Sequence, residues 1–183
     1  MNIMSRTYYI LFAFFMLCLD QLSKWFVTEN IIRVILENTE VQSSGFIEWL
    51  LYAPERLPYV EQKIFPFFNL VMVWNQGISF GLFTQNGATG PLVLSALSAV
   101  ISFIFLIWLF RTTSRLQAFS IALIISGAIG NLVDRLRFGA VIDFIDIHVT
   151  GYHWPAFNIA DSSVFTGVAL LIIYSLFFEK KPS

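Results

Sequence analysis

The stretch from residue 91 to residue 110, PLVLSALSAVISFIFLIWLF, contains twenty residues and no charged side chain. In a helix, a segment of this length extends over about 30 Å, which matches the hydrocarbon core of a bilayer. Lipid offers no water to bind backbone polar groups, so such a segment must satisfy them internally. We therefore predict that residues 91–110 form a membrane-spanning helix.

Three more apolar runs have the length of a membrane span, and the composition agrees with this interpretation. They cover residues 7–27, 116–133 and 162–178. Of the 183 residues, 57% are hydrophobic and 13% are charged, whereas soluble domains carry about 25% charged residues. A chain this apolar needs lipid to cover its surface. The expected fold class is an all-α membrane protein with four transmembrane helices.

Positively charged residues near the spans indicate the orientation of the chain. Cytoplasmic loops of membrane proteins carry an excess of Lys and Arg. The basic residues that flank the four spans are Arg6, Arg111, Arg115, Lys180 and Lys181. All of them are cytoplasmic only if both termini are cytoplasmic, so residues 28–90 and 135–160 face outward. Arg135 and Arg137 then lie on the outer side, which indicates that they have another role.

The outward segments contain regular structure of their own. Residues 68–74 and 141–147 are rich in strand-forming residues, so we expect a small β-element on the non-cytoplasmic side. Residues 46–52, which include Trp49, are expected to form a short interfacial helix. The extended outer segment, residues 28–66, contains six Glu against three basic residues and is net acidic.

Ionisable residues collect towards the outward ends of the predicted spans. Asp20 and Lys24 are four residues apart on the first span and therefore share a helix face. Asn131 and Asp134 share a face near the end of the third span, and Asp161 begins the fourth. Charged residues inside spans are costly and are functional candidates by default. A structural ion pair of Asp20 with Lys24 is an equally good interpretation of that spacing.

Some polar and small residues nearby also have structural interpretations. Gly127 and Gly130 permit close contact between helices. Either Asn158 or Asp161 can cap the fourth helix, because such side chains accept hydrogen bonds from the unpaired amides of a first turn. Capping and catalysis are compatible, and the helix dipole favours an ionised carboxylate at this position.

Two further acidic residues, Asp143 and Asp146, lie in the second predicted strand. Their spacing of three places them on opposite faces, so one points towards the helices and the other is expected to be solvated. The spacing does not choose between them. With Asp20, Asp134 and Asp161, one of the two would complete an acidic cluster. Two adjacent carboxyls share a proton, which provides a base for water and an acid for a carbonyl oxygen. This is the chemistry of an aspartic hydrolase.

Five short blocks, in order along the chain, resemble the lipoprotein signal peptidase family, also called signal peptidase II. The blocks are residues 20–24 (DQLSK), 75–80 (NQGISF), 127–135 (GAIGNLVDR), 141–144 (VIDF) and 157–162 (FNIADS). Each block alone is weak, but their order and their positions relative to the four spans agree with the family. Residues 28–66 are long for the family's first outer segment.

The resemblance implies an aspartic endopeptidase of the bacterial cytoplasmic, or inner, membrane. Such enzymes remove signal peptides from diacylglyceryl-modified prolipoproteins and cut just before the lipid-bearing cysteine. The family is inhibited by the cyclic peptide globomycin and needs no metal or other cofactor. The expected partners are prolipoprotein signal peptides and membrane lipid, and a net charge of −1 gives no reason to expect nucleic acid. Residues 1–183 would form one membrane-embedded domain that acts as a monomer.

Residue by residue, the resemblance makes Asp143 and Asp161 the catalytic pair and leaves Asp146 outside the site. Further matching positions are expected to support the pair or contact the substrate. They are Asp20, Lys24, Asn75, Gly77, Asn131, Asp134, Arg135, Asn158 and Ala160. Arg135 near the headgroups is also expected to meet lipid phosphate.

Three other functions remain possible from the residues alone. Residues 77–81 (GISFG) fit the G-x-S-x-G pattern of serine hydrolases, with Ser79 as nucleophile and His148 or His153 as base, but no strand–turn–helix context is predicted. A metal enzyme would use Asp143, Asp146 and His148. A small transporter or channel would use the carboxylates as a proton path, although here they cluster at one face of the bilayer.

Overall fold

Four helices of the chain are long and apolar enough to cross a membrane. The computed structural model describes residues 3–37, 43–77 and 89–178. In chain order the helices are α1 (Ile3–Val27), α2 (Arg33–Glu37), α3 (Phe46–Tyr52), α4 (Thr89–Arg111), α5 (Arg115–Phe138) and α6 (Ile159–Phe177). Helices α1, α4, α5 and α6 are the four spans, so the expected fold class of four transmembrane helices with a small β-element is confirmed.

The first span is longer than its apolar run. Helix α1 continues through a π-helical turn, Thr28–Ile32, directly into α2. Glu29 is buried in this turn, and its carboxylate accepts hydrogen bonds from the side chain of Arg33 at 3.0 Å. This ion pair between residues four apart supports the helix beyond the end of the apolar run. The short helix expected at residues 46–52 is α3.

The β-element is an antiparallel sheet of four strands in the order β1–β2–β3–β4. The strands are β1 (Glu61–Phe65), β2 (Phe68–Asn75), β3 (Val141–Val149) and β4 (Tyr152–His153). Strands β2 and β3 match the two predicted segments. In their register Val73 lies opposite Asp143 and Asn69 lies opposite Asp146. Because β3 follows α5 after Gly139, the sheet lies at the end of the bundle where α5 ends and α6 begins.

An apolar core joins the sheet to the helices. It includes Trp49 of α3, which is 1% exposed. The Arg137 guanidinium lies over the rings of Trp49 and Phe138 and donates a hydrogen bond to the carbonyl of Trp49. Arg56 donates to the carbonyl of Phe138. Arg137, expected on the outer side as an exception to the positive-inside rule, therefore has a structural role: it connects α3 to the end of α5.

Helix α5 packs against the other three spans, and glycine brings α6 close to it. A Cβ on Gly127 would collide with the carbonyl oxygen of Ala160 and would lie 2.7 Å from Val164. A Cβ on Gly130 would lie 2.6 Å from the carboxylate of Asp20. Lipid provides little hydrophobic force between helices, so close packing of small residues holds them together.

Replacement of Gly127 with alanine is expected to destabilise the protein by about 1–3 kcal/mol, the usual effect of overpacking a tight contact. Thermal unfolding in detergent measures this change. Gly45→Ala is the matched control, because none of the described atoms lies within 4 Å of an added Cβ there. Equal melting temperatures for the two variants would contradict the packing argument.

Candidate active site

Asp143 of β3 is 1% exposed and points towards the helices. One of its carboxyl oxygens accepts a hydrogen bond from the Asn75 side chain at 2.9 Å, and the other accepts from the Asn158 side chain at 2.8 Å. Gly77 supports this arrangement. Its φ of +74° suits glycine, and its amide donates to the Asn75 side-chain oxygen at 2.8 Å. Asn75 is thereby oriented with its NH₂ group towards Asp143.

Asp161 lies in the first turn of α6, and Asn158 is the N-cap of this helix. The two residues form a capping box: the Asn158 side chain accepts from the Asp161 amide at 2.9 Å, and the Asp161 carboxylate accepts from the Asn158 amide at 3.2 Å. The second oxygen of Asp161 accepts from the Asn131 side chain of α5 at 2.8 Å.

Asn158 links the two carboxyl groups. Its side-chain NH₂ donates to Asp143, while its backbone amide donates to Asp161. Asn158 itself is completely buried and also contacts the Asn131 side-chain oxygen at 3.2 Å. The structure therefore brings Asp143, Asp161, Asn75, Asn131 and Asn158 into one hydrogen-bonded group.

Burial first, and then the neighbouring charge of Asp161, raise the pKa of Asp143 to about 7. The amide donors of Asn75 and Asn158 and the positive charge of Lys24 act in the opposite direction and are outweighed. A carboxyl in this environment holds a proton near neutral pH.

A buried cluster of three charged side chains, Lys24 with Asp20 and Asp134, lies next to the two carboxyl groups. The Lys24 ammonium is 2.8 Å from the Asp20 carboxylate and 2.8 Å from the Asp134 carboxylate. All three side chains are at most 1% exposed. The pair expected for Asp20 and Lys24 therefore exists, and Asp134 completes it from α5.

This ion-pair cluster is connected to the backbone beside each carboxyl. Asp20 accepts a hydrogen bond from the amide of Ala160, the residue before Asp161, at 2.9 Å. Asp134 accepts from the amide of Ile142, the residue before Asp143, at 3.1 Å. Asp20 and Asp134 thus hold the start of α6 and the start of β3 in place, which makes them positioning residues.

Gln21 was not among the residues singled out from the sequence. Its side-chain nitrogen lies within hydrogen-bond distance of Asp20 at 3.1 Å, Asp134 at 3.0 Å and the Gly130 carbonyl at 3.3 Å. The residue is 4% exposed. Its position next to Asp20 in a predicted span could have identified it, since a buried amide side chain needs hydrogen-bond partners.

The expectation that Asp146 is solvated was wrong. Asp146 lies on the opposite side of β3 from Asp143, but it is 5% exposed. Its carboxylate accepts from the Asn69 side chain at 2.9 Å and contacts the His153 ring at 2.9 Å. Strands β2 and β4 flank β3 on both sides and bring these partners over the carboxylate, which is why water does not reach it.

Two cavities meet at Asp161. The first, of about 480 Å³, lies between α4, α5 and α6, and we call it the helix cavity. Its lining residues are Ser98, Ile101, Ile124, Ala128, Asn131, Arg135, Asp161, Val164, Phe165 and Val168. The second, of about 500 Å³, lies between the sheet and α6, and we call it the sheet cavity. Its lining residues are Ile147, Trp154, Phe157, Asp161, Ser162, Phe165 and Thr166.

The rival sites receive no support from the geometry. Ser79 lies outside the described residues. His148 and His153 stack on each other at 4.7 Å and contact Asn69 and Asp146, away from the carboxyl pair. Within residues 3–37, 43–77 and 89–178, no three His, Cys, Asp or Glu side chains form a group that could hold a metal ion.

Fold and site together define a multi-pass membrane protein with a linked pair of carboxyl groups at one end of its helix bundle. The sequence model of the Signal peptidase (SPase) II family matches residues 12–177. The chain belongs to this family.

Individual relatives agree with this assignment. A lipoprotein signal peptidase of Rhodopseudomonas palustris (strain ATCC BAA-98 / CGA009) is 45% identical over 132 residues, which is 70% of this chain and 80% of that protein. A lipoprotein signal peptidase of Anaplasma phagocytophilum (strain HZ) is 47% identical over 115 residues, 62% of this chain and 72% of that protein. Both relatives are bacterial, and this chain is a multi-pass bacterial membrane protein.

Solved structures show the same fold. A structure described as a bacterial membrane enzyme, determined by the in meso method at 2.3 Å resolution, is similar with a TM-score of 0.65 and 25% identity. The similarity covers 97% of this chain and 95% of that chain. A second such structure at 1.9 Å resolution has a TM-score of 0.65 and 26% identity, covering 95% of each chain.

Proposed function

We propose that this protein is an aspartic endopeptidase that removes signal peptides from diacylglyceryl-modified prolipoproteins and cuts before the lipid-bearing cysteine. Asp143 and Asp161 are the catalytic pair. The observation that carries the proposal is the bridge through Asn158, which holds two carboxyl groups beside the cavities that meet at Asp161. Membership of the signal peptidase II family supports the same reaction.

Each carboxyl has a distinct part in the mechanism. The nearly complete burial of Asp143 favours its protonated form, whereas Asp161, at the start of α6, benefits as an anion from the helix dipole. Asp161 takes a proton from water, and the resulting hydroxide forms a bond to the scissile carbonyl carbon. Asp143 donates a hydrogen bond to the carbonyl oxygen. The intermediate then loses the amine of the lipid-bearing cysteine, which accepts the proton that Asp161 took up.

The location of the pair suits a substrate anchored by lipid. Asp161 is in the first turn of a 19-residue span, so it lies near the membrane surface rather than at its midplane. A diacylglyceryl anchor holds the neighbouring peptide bond at that same level. We propose that this end of the bundle faces away from the cytoplasm, that both termini are cytoplasmic, and that residues 1–183 act as one domain in the inner membrane.

Activity is expected to fall as the pH rises through about 7. The proposed mechanism needs protonated Asp143, and its pKa is raised to about 7. Below this pH the proton is present, and above it the proton is lost, so the basic limb of the profile of kcat/KM against pH belongs to Asp143. Measurement between pH 5 and pH 9 tests this, and activity that increases through pH 7 would reverse the two roles.

The function itself is tested with purified protein and a lipid-modified prolipoprotein in detergent. We expect one cleavage, before the lipid-bearing cysteine, that globomycin inhibits and EDTA does not. The same peptide without its lipid is the control and should be cleaved much more slowly. An intact lipid-modified substrate after prolonged incubation would overturn the proposal.

A further inference from the structure

The sheet cavity differs in chemistry from the helix cavity, although both end at Asp161. The helix cavity contains the Arg135 guanidinium and the Asn131 amide beside Asp161. Among the described residues, Asp161 is the one charged side chain that lines the sheet cavity. Ser162 adds little polarity there, because its hydroxyl already donates to the Asn158 carbonyl at 2.9 Å. The rest of the lining is mainly aromatic and aliphatic.

Exposed apolar side chains line both walls of the sheet cavity. Phe165, which separates the two cavities, is 75% exposed on a membrane-spanning helix. On the other wall, Trp154 is 60% exposed and Ile147 is 43% exposed. An apolar, exposed lining that begins at Asp161, at the start of a membrane-spanning helix, suits a path from the proposed catalytic pair into the bilayer. Its volume of about 500 Å³ lies in the usual range of ligand sites, about 300–1,000 Å³.

The wall that carries Trp154 is a fixed part of the fold. The Trp154 amide donates to the Ile147 carbonyl at 2.8 Å, and the preceding residue, His153, is held by the buried Asp146. Phe157 is tied to β3 by backbone hydrogen bonds with Ile145 at 2.9 and 3.1 Å. The cavity is thus lined on one side by a short hairpin and on the other by α6.

We propose that the sheet cavity holds a fatty acyl chain of the lipid-modified substrate, while the peptide occupies the helix cavity. This inference rests on the proposed function. The acyl chains are bonded to the residue next to the scissile peptide bond, so they must leave the site close to Asp161 and pass into lipid. Of the two cavities, the sheet cavity offers such a path without placing the acyl chain against a guanidinium or an amide side chain. Donors on Arg135 and Asn131 suit the carbonyl groups of a peptide instead.

The acyl site acts on orientation more than on affinity. Bilayer lipid is about as apolar as the cavity lining, so moving an acyl chain from one to the other releases little free energy. A chain held in the cavity does fix the position of the peptide bond relative to Asp143 and Asp161, and a displacement of about 1 Å can lower a rate by roughly 10²-fold. Blocking the cavity should therefore lower kcat more than it raises KM.

Photocrosslinking tests the assignment directly. A prolipoprotein peptide with a diazirine in its acyl chain is bound to the Asp143→Asn protein, irradiated, and mapped by mass spectrometry. We expect labels on Trp154, Phe157 and Thr166, which line the sheet cavity and not the helix cavity. Labels concentrated on Ser98 and Ile101, or spread over lipid-facing residues such as Phe14 and Phe103, would overturn the inference. A second peptide, with the diazirine in its signal sequence, should label the helix cavity.

Two substitutions on the same helix provide a matched pair. Thr166 lines the sheet cavity, whereas Ile172, further along the helix, lines neither cavity, and both are exposed. Thr166→Trp is expected to lower acyl crosslinking and kcat by roughly tenfold or more, whereas Ile172→Trp should leave acyl crosslinking within about twofold. Equal effects of the two variants on acyl crosslinking would contradict the inference. If either variant is unstable, the crosslinking experiment with the Asp143→Asn protein, whose cavity linings are unchanged, still tests the inference.

The failure of this inference is distinguishable from failure of the proposed function. Cleavage of the acyl-diazirine peptide by the unmodified protein is measured first. Absence of cleavage overturns the proposed function and the inference together. Cleavage combined with crosslinks outside the sheet cavity overturns the acyl assignment and leaves the peptidase function intact.

Discussion

Replacement of Asp143 with asparagine is expected to lower prolipoprotein cleavage by at least about 10³-fold, and Asp161→Asn should do the same. An amide in either position can neither hold nor accept the proton that the reaction moves, and positioned acid–base groups contribute about 10²–10⁴-fold each. Single-turnover cleavage of the lipid-modified peptide measures the loss. Thermal unfolding checks that both variants remain folded.

Asp146→Asn is the matched control for this prediction. Asp146 is an aspartate of the same strand and is buried like Asp143, but it faces Asn69 and His153 rather than the carboxyl pair. We expect its asparagine variant to keep activity within about tenfold of the original protein. An active Asp143→Asn protein, or an Asp146→Asn protein as inactive as Asp143→Asn, would refute the assignment of the pair.

The second large effect is expected for Lys24→Met, which leaves the Asp20 and Asp134 carboxylates buried without a cation. Removal of one partner from a buried ion pair destabilises a protein by about 3–5 kcal/mol. Because Asp20 and Asp134 also hold the amides beside Asp161 and Asp143, cleavage by the protein that remains folded should fall as well. Chemical unfolding in detergent and kcat of the folded fraction are the measurements.

The control for Lys24→Met is the same substitution at Lys63, an exposed residue of β1, which should change neither property. A second variant examines the mechanism of the effect. Asp134→Asn combined with Lys24→Met removes one of the two unpaired charges, so the double variant should be less destabilised than the sum of the single ones, by roughly 0.5–3 kcal/mol. Strict additivity would show that charge pairing is not the cause.

Much of the fold could be read from hydropathy. Runs such as residues 91–110 have one stable arrangement in lipid, a helix, because each backbone group must find its partner within the segment. The β-rich character of residues 141–147 and the capping potential of Asn158 were also evident, since both are local properties of a few neighbouring residues. The continuation of α1 through the turn at Thr28–Ile32 was missed because the prediction followed hydropathy and the apolar run ends at Val27, although Glu29 and Arg33, four residues apart, form an ion pair there.

Only part of the candidate site could be predicted from the sequence. Spacing on one helix predicted that Asp20 and Lys24 meet, but it said nothing of Asp134 as the second partner of Lys24. It could not choose between Asp143 and Asp146; the resemblance to a family made that choice. The spacing also predicted that these two residues lie on opposite faces of the strand. From this we wrongly concluded that Asp146, on the face away from the helices, is exposed to solvent.

The sequence by itself determined that this chain crosses the membrane four times and that its acidic residues gather at one end, because periodicity and hydropathy act within single segments. Tertiary structure alone decided which carboxyls share a partner, how Asn158 joins Asp143 to Asp161, and that Asp146 is buried. These features depend on contacts between α5, α6 and β3, elements separated along the chain, and the distances between such elements are not encoded in the pattern of any one of them.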